Sequence, residues 1–228
     1  MDGRADPGSP SATLRGATLI GDIVASRNHP DQLGLLRRIA EILHRVNERV
    51  PARQPLALTV GDEFQAFYEK LEEALLATTL LRLASEGQVD LRFGVGWGEI
   101  VLTAPIPATV AQSGAAWWRA RDAIERVADR SKRWRWPRSL RTWFVGERDQ
   151  HAATINAFLI CRDHILACMN EVDHRIAWSL FTSERQAATA TALGLPQSKI
   201  SRYQNEHGPA ALFQAHEALQ ACLREESP

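Results

Sequence analysis

The sequence predicts an α+β fold: an antiparallel sheet with helices on one face, followed by an all-α segment containing a helix-turn-helix. Three observations carry that reading. Apolar, β-branched or alternating runs at residues 17–24, 55–60, 63–68, 89–97 and 141–145 are interleaved with helical periodicity at 31–50, 70–86 and 113–128. Strand signals stop near residue 148, and every later periodic stretch is helical. Two apolar runs break on a glycine followed by an acid, Gly21-Asp22 and Gly61-Asp62, which collects acidic groups at strand ends.

The elements follow in order. Residues 17–24 read as a buried strand, with Asn28, His29 and Pro30 in the loop after it. Asp31 is placed to cap the next helix, whose apolar stripe is Leu33, Leu36, Ile39, Ala40, Leu43 and Val46. Pro51 and Pro55 bracket its exit. Strands at 55–60 and 63–68 form a hairpin with the Gly61-Asp62 step at its tip. The helix at 70–86 turns Leu71, Ala74, Leu75, Thr78 and Leu81 inward and ends at Gly87. In the strand at 89–97, Leu91, Phe93 and Val95 face one way and Arg92, Gly94 and Gly96 the other. Glycines along one face signal either a bulge or the close approach of a backbone or ligand. Gly98 and Glu99 then turn the chain into Ile100-Val101-Leu102.

Helices at 151–171 and 173–181 are expected to break near Val172. Residues 184–204 carry the helix-turn-helix pattern: a small residue at Ala190, a turn at Gly194, and apolar Ile200 and Tyr203. A last amphipathic helix covers 209–225. The expected division is a disordered Gly/Pro/Ser-rich segment at 1–13, a sheet domain at 14–148 and a helical domain at 149–228.

The 228 residues are 45% hydrophobic and 24% charged, with formal net charge zero, as in a soluble globular protein. Zero net charge excludes recruitment of nucleic acid by a global basic field and leaves only local patches. Cys161, Cys168 and Cys222 form neither a disulfide framework nor a metal spacing; Cys161 and Cys168, seven apart, are expected to pack on one helix face. No apolar run is long enough for a membrane span and no apolar leader is present, so the expected location is the cytoplasm.

Asp22 and Asp62 are the candidate metal-binding acids. Carboxylates at neighbouring strand ends can hold Mg²⁺ or Mn²⁺ beside a triphosphate, although aspartate after glycine is also an ordinary turn former. Gly21, Ile23, Val24, Ser26, Arg27 and Gly61 would line the nucleotide, with loop amides cradling phosphate. Glu63 is a third possible ligand, read here as a sheet-surface residue. Residues 130–141 interleave Arg130, Lys132, Arg133, Arg135, Arg138 and Arg141 with Trp134 and Trp136. This suits a polyphosphate or a single strand, or else a solvated helix end whose tryptophans cap the core. Gln197, Ser198, Lys199, Ser201 and Arg202 would meet a major groove of double-stranded DNA, which favours a homodimer; such three-helix units also serve as packing modules.

Residues 21–27, Gly-Asp-Ile-Val-Ala-Ser-Arg, together with residues 61–65, Gly-Asp-Glu-Phe-Gln, resemble the SatD family. More distantly, residues 17–145 resemble the palm domain of class III nucleotidyl cyclases and GGDEF diguanylate cyclases. Residues 92–98, Arg-Phe-Gly-Val-Gly-Trp-Gly, and the helix bearing Arg121 fall in the same order. The resemblance implies a palm-like, ferredoxin-like sheet. It implies metal binding by Asp22 and Asp62, and a catalytic pair of Asp62 and Arg121, with Arg121 stabilising charge on the transferred phosphate. Arg121 also stands four before Glu125, the spacing of a helical ion pair. Two departures bear on the ligand: the purine-reading lysine is Leu58 here and the ribose-orienting asparagine is Trp117. The expected function is Mg-dependent nucleotidyl cyclase-like or nucleotidyl-transfer activity on a nucleoside triphosphate, fused to a DNA-binding unit. The alternative is a non-catalytic, nucleotide-sensing transcriptional regulator.

Overall fold

The computed structural model describes residues 12–26, 29–59, 61–86, 88–102 and 112–225. Its elements run β1 (Ala12–Ile23), α1 (Gln32–Asn47), β2 (Gln54–Leu58), β3 (Phe64–Tyr68), α2 (Leu71–Ala84), β4 (Leu91–Leu102), β5 (Gln112–Ser113), α3 (Ala115–Arg130) and β6 (Thr142–Val145). Then come α4 (Asp149–Cys168), α5 (Glu171–Phe181), α6 (Gln186–Leu193), α7 (Gln197–Glu206) and α8 (Pro209–Glu225). The α+β class and the order of elements are as expected, apart from the two-residue β5, which was not foreseen. Residues 1–11, most of the segment expected to be disordered, lie outside the described residues, as does Gly87; Ala12 and Thr13 pair with β4 as strand.

Among the described residues six strands form one sheet in the order β2-β3-β1-β4-β5, with β6 also on β4. All pairings are antiparallel except β6, which joins β4 in parallel through Phe93↔Thr142 to Gly96↔Val145. The sheet is therefore mixed. β4 runs unbroken through Gly98 and Glu99, where a turn was expected, because β1 pairs with it along its whole length.

Helices cover both faces of the sheet rather than one. Leu91, Phe93 and Val95 join the main core, which α1 enters through Ile39 and Leu43 and α2 through Leu75 and Leu81. The opposite face takes α3. A Cβ on Gly94 would lie 2.2 Å from the Ala120 carbonyl oxygen, and one on Gly96 would lie 2.1 Å from that of Ala116. The glycine face thus marks close approach of a helix backbone, not a bulge.

Asp31 caps α1 by accepting from the Gly34 N–H at 2.8 Å. The buried stripe is Leu35, Ile39, Ile42, Leu43 and Val46. Leu33 is 71% exposed and Ala40 also faces solvent, so the expected stripe is partly rotated off the core.

The outer strands β2 and β6 are each bridged by an asparagine side chain. Asn47, at the end of α1, donates to the Leu56 carbonyl at 2.9 Å and accepts its N–H at 2.8 Å. Asn156 of α4 does the same for Phe144, both bonds at 2.8 Å. Asp163, further along α4, accepts the N–H groups of Arg141 and Thr142, each at 2.7 Å. It also pairs with Arg162 at 2.9 Å and Arg82 at 3.1 Å. Arg162, 1% exposed, spends its remaining donors on the hydroxyls of Thr78, Thr79 and Thr142.

The break after α4 falls at Met169-Asn170 rather than Val172, because Asn170 and Asp173 form a capping box that starts α5. Cys161 and Cys168 are exposed, not packed, since α4 buries Ile155, Leu159 and Leu166 on another face. Ile176, Ala190 and Ile200 bring α5, α6 and α7 together, and Gly194 turns the chain in the left-handed region at φ 63°. The main core continues from the sheet into α4, α5 and α8 through Leu159, Leu166, Trp178, Leu212 and Leu223.

His216 of α8 is 2% exposed and packs beside Phe158 and Phe181. Burial, aided by the charge of Arg162, pushes its imidazole down to about 4 from 6.5. Between those values the unfolded chain takes up a proton that the native state refuses. Stability should therefore fall as pH drops from 6.5 towards about 4. His216→Leu should flatten that part of the profile, as read from urea midpoints across the range.

Candidate functional site

The site is built at the ends of β1, β3 and β4 nearest the β1–α1 loop. The β1–β3 register ends at Gly21↔Phe64, so one step further Asp22 stands opposite Glu63. On its other side Asp22 pairs with Arg92 of β4. Arg92 grips both carboxylate oxygens, Nε to Oδ1 at 3.0 Å and Nη2 to Oδ2 at 2.5 Å. Glu63 is held in the same way by Arg121 of α3, at 2.6 and 2.8 Å, with Gln65 donating a third bond at 2.9 Å. The result is two ion pairs side by side across the sheet end, with the two acids on neighbouring strands.

Glu63 is thus half-buried and paired, not a free surface group. Burial acts to raise its carboxyl, but the hydrogen bonds from Arg121 and Gln65 and the Arg121 charge prevail and hold it below the ordinary value. Arg121 is raised by its hydrogen bonds to Glu63, with smaller help from Glu125 and Asp22. Its partner is Glu63, not the Glu125 that helical spacing offered.

Asp62 has a different partner, since its carboxylate accepts the Ser26 hydroxyl. A cleft of about 250 Å³ opens there between the β1–α1 loop, the start of α1 and the hairpin turn, lined by Ile23, Ser26, Gln32, Leu35, Leu36, Gly61 and Asp62. The strands bring Asp22 and Asp62 to neighbouring positions at one sheet end, where each is engaged separately. Gly21 packs under the Phe64 ring, which a Cβ would meet at 2.2 Å. The Val24 amide, expected to face phosphate, donates instead to the Asp90 carbonyl at 2.8 Å. Arg27 lies outside the described residues.

Trp117 is buried with Ile20, Phe67 and Ile100. Leu58 packs against the main core. Leu58 has no polar group to offer a base, and the Trp117 indole N–H is buried without a hydrogen-bond partner among the described residues. Arg119 donates to the Trp97 carbonyl at 2.7 Å. Trp136 packs edge-on against Trp143, with Arg130 over both rings, whereas Trp134 is 88% exposed. On α7, Gln197, Ser198, Ser201 and Arg202 are exposed, and Lys199 is half-buried above Tyr203.

Sequence reasoning missed Arg92 and undervalued Glu63. The one available signal for Arg92 was a cation on the glycine-bearing face of a strand, which turned out to be the face shared with Asp22.

Asp22, Asp62 and Glu63 supply hard oxygen donors suited to Mg²⁺ or Mn²⁺. Among the described residues no three His, Cys, Asp or Glu side chains gather in a metal-holding group. Asp22 and Glu63 are each neutralised by an arginine. Carboxylates of this kind would supply one or two ligands to a divalent ion, the rest coming from outside the protein.

A profile of the SatD family matches residues 17–188. No curated protein matches the chain. Among solved structures, a bacterial light-regulated adenylyl cyclase aligns at 14% identity and TM-score 0.46, over 60% of this chain and 44% of that one, so less than half of that protein is spanned. The guanylyl cyclase domain of the RhoGC fusion protein from the aquatic fungus Blastocladiella emersonii aligns at 13% identity and TM-score 0.43, over 51% and 77%. The adenylyl cyclase CyaB from P. aeruginosa aligns at 12% and 0.37, over 50% and 72%. These alignments assign no role to any residue of this chain. No helix among the described residues is long and apolar enough to cross a membrane.

The Glu63–Arg121 pair should contribute stability fully above the unfolded carboxyl value of 4.5 and lose it as pH falls through the lower native value. Glu63→Gln should flatten the acid limb of the stability profile by about 1 kcal/mol or less, because the pair is partly solvated. Arg121→Ala should give the same flattening in urea unfolding.

Proposed function

The chain belongs to the SatD family, and on the geometry of its strand ends we propose that it binds a nucleoside triphosphate with Mg²⁺ or Mn²⁺ and carries out cyclase-like or nucleotidyl-transfer chemistry. The observation that carries this reading is the antiparallel register of β1 and β3. It sets Asp22 beside the Asp62-Glu63 turn, with two arginines within reach. Acids next to bidentate guanidiniums form a site whose internal pairs can be exchanged for phosphate and metal at little net change in charge.

In this reading Asp22 and Asp62 hold the metal, which supplies Lewis-acid polarisation of the phosphate when bound. Ile23, Leu35 and Leu36 give the cleft its apolar wall, while Gly61 leaves its rim open. Ser26 orients the Asp62 carboxylate. Arg121, released from Glu63, carries charge developing on the transferred phosphate. Ala25, a non-glycine residue held at φ 58° in the β1–α1 loop, supports the view that this loop is shaped for a ligand. Purified protein incubated with each labelled nucleoside triphosphate and Mg²⁺ or Mn²⁺ should release pyrophosphate and a new nucleotide product, both absent in Asp62→Ala. Nucleotide binding that needs Asp62, with no product, would instead establish a nucleotide sensor.

A second activity is favoured by the exposed polar ridge of α7, held by the α5–α6–α7 cluster at Ile176, Ala190 and Ile200. We propose that Gln197, Ser198, Lys199, Ser201 and Arg202 contact double-stranded DNA, with a homodimer supplying two such helices. The paired change Lys199→Ala with Arg202→Ala should weaken DNA binding and reduce the slope of log affinity against log salt by about 2 per protomer, measured by fluorescence anisotropy. An unchanged slope would remove the groove-reading role.

A further inference from the structure

Behind the strand-end acids lies a second cleft, of about 470 Å³, lined by Val24, Arg92, Ser131, Lys132, Arg138 and Arg141. Four of these six side chains are cationic: Arg92 from β4, and Lys132, Arg138 and Arg141 from the connection between α3 and β6. Two are balanced internally. Arg92 is held by Asp22, and Arg141 by Asp90 through bonds of 2.5 and 2.6 Å. Arg141 also donates to the carbonyls of Arg138 and Leu140, at 2.6 and 2.9 Å, which fixes its guanidinium as a rigid wall. Lys132 and Arg138 are exposed, and neither has a carboxylate partner among the described residues. The cleft therefore carries two uncompensated positive charges on a backing of two ordered guanidiniums.

Cations are expected near a helix C-terminus, where the α3 carbonyl ends attract them. That attraction accounts for Lys132, one residue past the cap, but not for Arg138, seven past it, or for Arg92 on β4. A concave surface on which four cations converge from two segments distant in the chain suits an extended polyanion better than a single carboxylate.

We propose that this cleft binds a phosphate chain. The chain can be free inorganic polyphosphate or the 5′-triphosphate tail of a nucleotide, two sources of one chemistry. Lys132 and Arg138 supply the charge, and the fixed Arg141 and Arg92 set the register of successive phosphates. The proposal stands apart from the metal–nucleotide reading, because it needs neither metal nor Asp62.

The test is calorimetric titration of the full chain with inorganic tripolyphosphate in metal-free buffer at fixed ionic strength. The wild type should bind. Lys132→Ala with Arg138→Ala should weaken binding by about tenfold or more, as loss of charge-assisted contacts predicts. Asp62→Ala should bind as the wild type does. A charge-matched control, Arg133→Ala with Arg135→Ala, removes two exposed cations outside the cleft and should also leave binding intact. Failure of the wild type to bind would overturn the proposal, as would equal losses in the cleft and control variants. Repeating the titration with a nucleoside triphosphate separates the sources. Loss of nucleotide affinity in the cleft variant assigns the site to the nucleotide tail, and loss of tripolyphosphate affinity alone assigns it to free polyphosphate; either upholds the site. Loss of Mg-nucleotide binding is read separately, in Asp62→Ala.

Discussion

The buried carboxylate of Asp163 is the interaction on which the rest of the structure depends. It is fully buried and must be satisfied from within the protein. Two backbone N–H groups at the entry to β6, one guanidinium from its own helix and another from α2 all converge on it. Removing it would leave Arg162 and Arg82 buried without a counter-charge, the costly half of a buried ion pair. The carboxylate therefore fixes where α4 lies against β6, and β6 in turn completes the floor on which α3 rests. Arg121 reaches Glu63 only because α3 is seated on the glycine face of β4. A charge far from the strand-end acids thus sets their geometry.

At the strand ends the balance is different. Asp22 and Glu63 are partly solvated, and each is matched to one arginine in bidentate geometry. Such pairs contribute modestly to stability and exchange partners readily. Arg92 faces two regions at once, the Asp22 carboxylate and the cationic cleft. Any anion that engages it from one side competes with the acid on the other. The cationic cleft and the Asp22 carboxylate are consequently not independent in charge.

Much of this was legible in the sequence. The order of elements, the Asp31 cap and the Gly194 turn each follow from local chemistry within a few residues. Periodicity also found the two glycine-acid steps and the glycine face of β4. What could not be read was set by pairings between distant segments. The parallel docking of β6 on β4, and hence the second helical layer, has no local signal in Thr142–Val145. Arg92 is an ordinary strand residue until the register puts it across from Asp22. Leu33 misled because its position fits the apolar stripe while lying in the first turn of α1, beyond the reach of the sheet. Cys161 and Cys168 misled for a related reason: α4 uses Asn156, Arg162 and Asp163 as its inner face, so polarity does not mark its outside.

The two asparagines at the margins have a consequence for how the chain behaves in company. A β-strand border with free N–H and C=O groups is a template on which another chain can grow. Here Asn47 and Asn156 each occupy a donor and an acceptor in the middle of a short outer strand, β2 and β6 respectively. A foreign strand would find its pairing interrupted after a residue or two. The sheet therefore carries its own stop marks on β2 and β6, and a second copy of the protein would find these two strands closed to pairing.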